Sequence, residues 1–92
     1  MGRTVQWYGD AWDEYCEWQK TDKAALKRIN ELIKDARRDP FGGIGKPEPL
    51  KHDLSGLWSR RINDTDRLTY CIENDVLVIV SSKGQYKKKA VC

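Results

Sequence analysis

Glu48 stands between two prolines in the run FGGIGKPEP, with Lys46 and Lys51 close on either side. Flanking prolines restrict the backbone, so a carboxylate held there has little conformational entropy left to lose. A positioned Glu suits a general base, and neighbouring Lys and Arg suit phosphate. Glu48 also reads, more plainly, as a solvated loop carboxylate. Arg67 opens a hydrophobic run, and a strand-start Arg facing the end of another strand can grip a pentavalent phosphate with two N–H groups. Trp58-Ser59-Arg60-Arg61 puts two guanidinium groups on opposite faces of a strand, one for a polyanion and one for an acid such as Asp64 or Asp66. One chemistry still open to such a set without a cofactor is cleavage of RNA, which carries its own nucleophile in the 2′-OH. A base must take that proton, a cation must stabilise the phosphorane, and an acid should protonate the leaving 5′-oxygen. Glu48 and Arg67 fit the first two roles. No cofactor is expected: there is no phosphate-cradling Gly loop or nucleophile elbow, and His52 is too isolated to build a metal set.

The elements that must position these residues follow from periodicity. Arg3 to Trp7 alternates polar and apolar residues, as a half-buried strand does. Gly9-Asp10 breaks it, and Asp10 can cap a helix in which Trp12, Tyr15, Cys16 and Gln19 share a face. Thr21 or Asp22 caps a second helix with the stripe Leu26, Ile29, Leu32, Ile33 and Ala36, leaving Lys27, Lys34, Arg37 and Arg38 outside. Asp39-Pro40 ends that helix, and Phe41 to Pro49 is a surface loop. Leu57 to Ile62 and Arg67 to Ile72 read as strands joined by the polar turn Asn63 to Asp66. A tight turn at Asn74-Asp75 leads into Val76 to Val80, whose unbroken apolar run suits a strand covered on both faces. This order predicts an α+β domain, with two N-terminal helices packed on a twisted, mainly antiparallel β-sheet. Counting back from the last turn pairs Glu73 with Val76 and sets Arg67 opposite Ser82, so that Arg67 and Tyr86 share a face. A one-residue slip would put Gln85 there instead.

The 92 residues suffice for one modest core, to which four Trp and four Tyr contribute much of the buried area. Lys and Arg number 17 against 14 Asp and Glu, a net charge of +3. The distribution is more telling. Residues 1–22 are acidic, whereas Lys23 to Arg38 and the stretch from Lys83 are basic, which on charge alone reads first as a solvated helix face with a solubilising tail and second as a face for a polyanion. Cys16, Cys71 and Cys92 have no paired spacing and no signal peptide precedes them, so reduced thiols in a cytoplasmic protein are expected, with Cys16 and Cys71 as small core residues. No stretch approaches the roughly 18 apolar residues of a membrane span.

The stretches AWDEYCEWQKTDKAALKRINELIKDARRDPFGGIGKPEPLKHDLSGLWSRRI, DRLTY and KGQY closely resemble the YoeB toxins, within the RelE/ParE superfamily of bacterial toxin–antitoxin modules. The resemblance runs from about Val5 to Tyr86 and is most specific in GKPEPLKHDLSGLWSRRI. It implies a microbial-RNase-like fold over residues 1–86; the family usually stops at the Tyr, and 87–92 depart from it as a basic tail that reads either as flexible or as holding ribosomal RNA through its three lysines. It also implies cleavage of mRNA in the A site of the 30S ribosomal subunit, by attack of the 2′-OH to give a 2′,3′-cyclic phosphate. By position, Glu48 matches the general base, Arg67 the transition-state arginine, and Tyr86 the terminal tyrosine that arranges the substrate. Lys51 and Arg61 match basic residues near the RNA, and Lys83 sits beside them in the reading of the basic end. The implied partners are a YefM-like antitoxin, the ribosome with its mRNA, operator DNA through the antitoxin complex, and a second toxin copy as a homodimer. A relative aimed at gyrase, as ParE-type toxins are, is disfavoured by the Glu48 and Arg67 pair.

Gln85 departs from this pattern, since His normally stands there as general acid. Glutamine donates a hydrogen bond but has no proton that titrates near neutral pH. General acid catalysis contributes on the order of 10² to 10⁴-fold, so the expectation is an attenuated nuclease, or a silent toxin that still binds its partners.

Overall fold

The computed structural model describes residues 2–85. The elements are β1 (Val5–Trp7), α1 (Gly9–Thr21), α2 (Lys23–Arg38), β2 (Glu48–Pro49), a 3-10 turn at His52–Leu54, β3 (Trp58–Arg61), β4 (Arg67–Glu73) and β5 (Val76–Ser81). Among the described residues the strands form a five-stranded sheet in the order β1-β5-β4-β3-β2. All neighbours are antiparallel except β1 and β5. The expected α+β fold is the one observed. Two pieces are additional: the parallel seat of β1 beside β5, and the two-residue β2 inside the Gly/Pro loop. Neither has local periodicity, because one is a long-range pairing and the other is too short to show a repeat. Among the described residues no helix is long and apolar enough to cross a membrane.

Two apolar layers cover the sheet. On the helix side Ile29, Leu32 and Ala36 of α2 meet Leu68, Tyr70, Leu77 and Ile79, with Leu26 and Ile33 at the margin. On the other side Leu57, Cys71, Val78 and Val80 pack with Leu50 and Leu54. Burial on both faces explains the unbroken apolar run of β5. Asp22 caps α2 by accepting the Ala25 N–H at 3.0 Å.

The expected face of α1 needs correction. Ala11 and Trp18 are its buried residues, while Trp12 is 47% exposed and stacks outside against Trp7 and Tyr15. The helix docks there because Ala11 permits close approach, and because the Trp18 ring N–H reaches the Ser82 carbonyl at 2.8 Å. Its N-cap is Tyr8 rather than Asp10. Cys16 is only partly buried and free, whereas Cys71 is buried but disulfide-bonded, contrary to the expectation of reduced thiols throughout.

The hairpin register starts as counted, from Glu73 with Val76 to Tyr70 with Ile79, and then shifts. Thr69 pairs with Ser81, which leaves Val80 as an extra residue in β5. This bulge moves the end of the strand by one position, so the Arg67 N–H donates to the Gly84 carbonyl at 3.0 Å, and Arg67 is not opposite Ser82.

Candidate active site

Face alternation decides what meets what. Leu68 and Tyr70 point to the helices, so Arg67, Thr69 and Cys71 share the opposite face of β4. Ser59 of β3 lies directly across from Thr69, and Glu48 of β2 directly across from Ser59. Arg67 and Arg61 are opposed in the same way. An open cavity of about 260 Å³ lies on this face, lined by Glu48, Leu50, Leu54, Ser59, Arg67, Thr69 and Gln85. Three of the residues picked out in the sequence, Glu48, Arg67 and Gln85, therefore border one space. Lys51 and Arg61 are exposed beside it, next to Leu50 and across from Arg67 respectively, without lining it. Lys83 goes elsewhere, its Nζ lying 6.0 Å from the centre of the Trp18 ring on α1. Tyr86 and the tail from Lys87 to Cys92 lie outside the described residues.

Gln85 is delivered by a two-point clamp on its neighbour. Gly84 accepts from the Arg67 N–H, and its own N–H donates to Asp66 Oδ1 at 2.7 Å. Its φ of 64° lies in the left-handed region, where glycine is unstrained. Burial pushes the Asp66 carboxyl upward. The Gly84 N–H, hydrogen bonds within the turn to Asn63 and Thr65, and the Lys83 charge outweigh that, so its pKa ends below the ordinary aspartate value. Asn63 Oδ1 in turn accepts the N–H groups of Thr65 and Asp66, which shapes the turn before β4. The Arg67 guanidinium leans on the same turn, donating from Nη1 to the carbonyls of Asn63 and Asp66 at 3.2 and 3.4 Å.

Glu48 is positioned from below by Arg60, which is fully buried. Its acid is Asp35 of α2, at 2.7 Å, and not Asp64 or Asp66 as the sequence suggests. Its remaining N–H groups reach the Tyr70 hydroxyl and the carbonyls of Asp39, Gly42 and Ile44. The loop that leads to β2 is therefore wrapped around one guanidinium, and the Arg61 N–H adds a bond to the Gly45 carbonyl at 2.7 Å. The hydrogen bond from Arg60 holds the Asp35 pKa below its ordinary value despite burial. Nothing in the local sequence marks Arg60 as the anchor, because its partner Asp35 is 25 positions away. Among the described residues no group of three or more His, Cys, Asp or Glu side chains is placed to hold a metal ion.

The arrangement can take a proton at Glu48, present a cation at Arg67 and donate a hydrogen bond at Gln85, all toward one space. Comparison with known proteins shows the family. Residues 7–86 match the model of the YoeB-like toxin of bacterial type II toxin-antitoxin systems. The Escherichia coli K12 toxin YoeB is 56% identical over 80 residues, covering 87% of this chain and 95% of that one. The YoeB/ParE toxin from Agrobacterium tumefaciens superposes with a TM-score of 0.87 at 41% identity, over 90% of this chain and 99% of that one. YoeB from Staphylococcus aureus, solved both in complex with YefM and as a dimer, gives TM-scores of 0.84 and 0.85 at 38% and 39% identity, with 94% of this chain and all of that one covered.

Proposed function

The chain belongs to the YoeB-like toxins of bacterial type II toxin-antitoxin systems, and from that premise we propose that it is a metal-independent endoribonuclease that cleaves mRNA in the ribosomal A site. The observation that carries the reading is the convergence of Glu48, Arg67 and Gln85 on one cavity. Glu48 takes the proton of the 2′-OH, and the freed oxygen attacks the adjacent phosphorus. Arg67 neutralises the charge that builds on the phosphorane, the term that usually dominates such catalysis. The P–O5′ bond then breaks to leave a 2′,3′-cyclic phosphate. Gln85 donates a hydrogen bond to the departing oxygen but has no proton to give, so water completes the step and the rate is low. Tyr86 helps arrange the substrate, and Lys51 and Arg61 hold phosphates, while Lys83, turned to the Trp18 ring, lies away from the cleaved bond. The partners are a YefM-like antitoxin, as in the S. aureus complex, the 30S A site with its mRNA, operator DNA through the antitoxin complex, and a second copy in a homodimer.

Primer extension on mRNA in purified programmed ribosomes tests this. Weak cleavage by the wild type is expected, abolished in Glu48→Ala and raised on the order of 10²-fold or more in Gln85→His. Gln85 also favours a second reading, a silent toxin that binds ribosome and antitoxin and regulates its operon. Cleavage absent from the wild type and restored by Gln85→His would establish that reading instead. Equal activity of the wild type and Gln85→His would sink the account of the missing acid.

A further inference from the structure

Thr69 is 1% exposed, and among the described residues its Oγ1 is a buried side-chain oxygen with no hydrogen-bond partner. Native structures rarely leave such a group unmade, because its desolvation is uncompensated. Valine would fill the same volume in a strand without that cost, so packing alone does not explain a hydroxyl here. Its location suggests a reason. Thr69 borders the cavity, and it is the third residue of the cross-strand row Glu48, Ser59, Thr69. Arg67 stands two residues away on the same face, roughly 7 Å along the strand. Thr69 thus adjoins Arg67 along β4 and is separated from Glu48 by one strand, with Ser59 between them, on the face that borders the cavity. Part of that guanidinium is already committed to the carbonyls of Asn63 and Asp66, so a bound phosphate would need a further donor.

We propose that Thr69 is a substrate-contacting residue whose hydroxyl donates to a non-bridging phosphate oxygen of the RNA lying between Glu48 and Arg67. The inference rests on the nuclease reading above and adds to it a residue whose role no motif announced. It makes an opposed pair of outcomes for one isosteric change. Thr69→Val removes the donor a phosphate would use and also removes a buried group that the free protein leaves unpaired.

The test is titration of the wild type, Thr69→Val and Thr69→Ser with a short RNA carrying a 2′-deoxy sugar at the cleavage position. Binding is followed by amide and methyl NMR shifts, and Tm is measured in parallel. The expected result is a loss of affinity of about tenfold in Thr69→Val, with Tm unchanged or raised, and affinity within about twofold of wild type in Thr69→Ser. Wild-type affinity in Thr69→Val overturns the proposal while leaving the nuclease reading intact. A lowered Tm with unchanged affinity also overturns it, by making Oγ1 a structural donor. Failure of the wild type to shift the Glu48, Arg67 and Thr69 signals also overturns the proposal, while the nuclease reading is decided separately by primer extension on programmed ribosomes.

Discussion

Arg60 directs all five of its N–H groups at acceptors: Tyr70 Oη, the Asp35 carboxylate, and the carbonyls of Asp39, Gly42 and Ile44. Its value lies less in the attraction of the pair than in what its loss would strand. Arg60→Leu takes the guanidinium from the carbonyls of Asp39, Gly42 and Ile44 and leaves Asp35 with only Arg38 and the Ile44 N–H as partners, and is expected to lower stability by about 3–5 kcal/mol in urea denaturation. Arg60→Lys is expected to rescue only part of this, since an ammonium cannot match five acceptors in a plane. At this scale the chemistry was partly legible. Glu48, Arg67 and Gln85, which the fold brings to one cavity, were picked out as candidates from type, position and family pattern, because a carboxylate between prolines and an arginine at a strand start are local features. The acid that holds Arg60 and the unpaired hydroxyl of Thr69 were not, since both depend on what the fold places beside them.

Between β4 and β5 a single extra residue decides the geometry of the site. The bulge at Val80 slips the end of β5 by one position, and the Asp66–Gly84–Arg67 clamp then fixes where Gln85 emerges. Gly84 has open space around an added Cβ, so Gly84→Ala meets no clash and suffers only the left-handed backbone. That is expected to cost about 1–2 kcal/mol, read as a lower Tm, and to weaken the clamp that delivers Gln85. The turn Asn74-Asp75 and the starting register could be counted from the chain, because both residues tolerate the positive φ observed there. The bulge could not be counted. Val80 is as apolar as its neighbours, so pattern alone gives no sign that it lacks a partner. On α1 the period was read correctly but the face was not, since aromatic and small residues occur on both sides of the helix.

The whole molecule depends on carboxylates that are charged in the folded state. Asp35 and Asp66 both have folded pKa values below the ordinary 3.8. Each therefore contributes stability that is fully present above the unfolded value and lost as pH falls through the folded one. Stability is expected to be flat near neutrality and to drop below about pH 4, with a shallower drop in Asp35→Asn, measured as urea midpoints across pH 7 to 3. Such a drop loosens both anchors of the site, since Asp35 holds the Arg60 network and Asp66 holds Gly84. By itself the sequence determined the α+β class, the helix hairpin, the strand order along the chain, the family and the residue types at the site. These follow from periodicity, turn chemistry and local motifs, each written within a few residues. Only the tertiary structure decided which acid meets Arg60, the parallel seat of β1, the one-residue slip behind Gln85, and the burial of Thr69 in the cavity floor. Those are contacts between segments far apart in sequence, which local periodicity and turn chemistry do not specify.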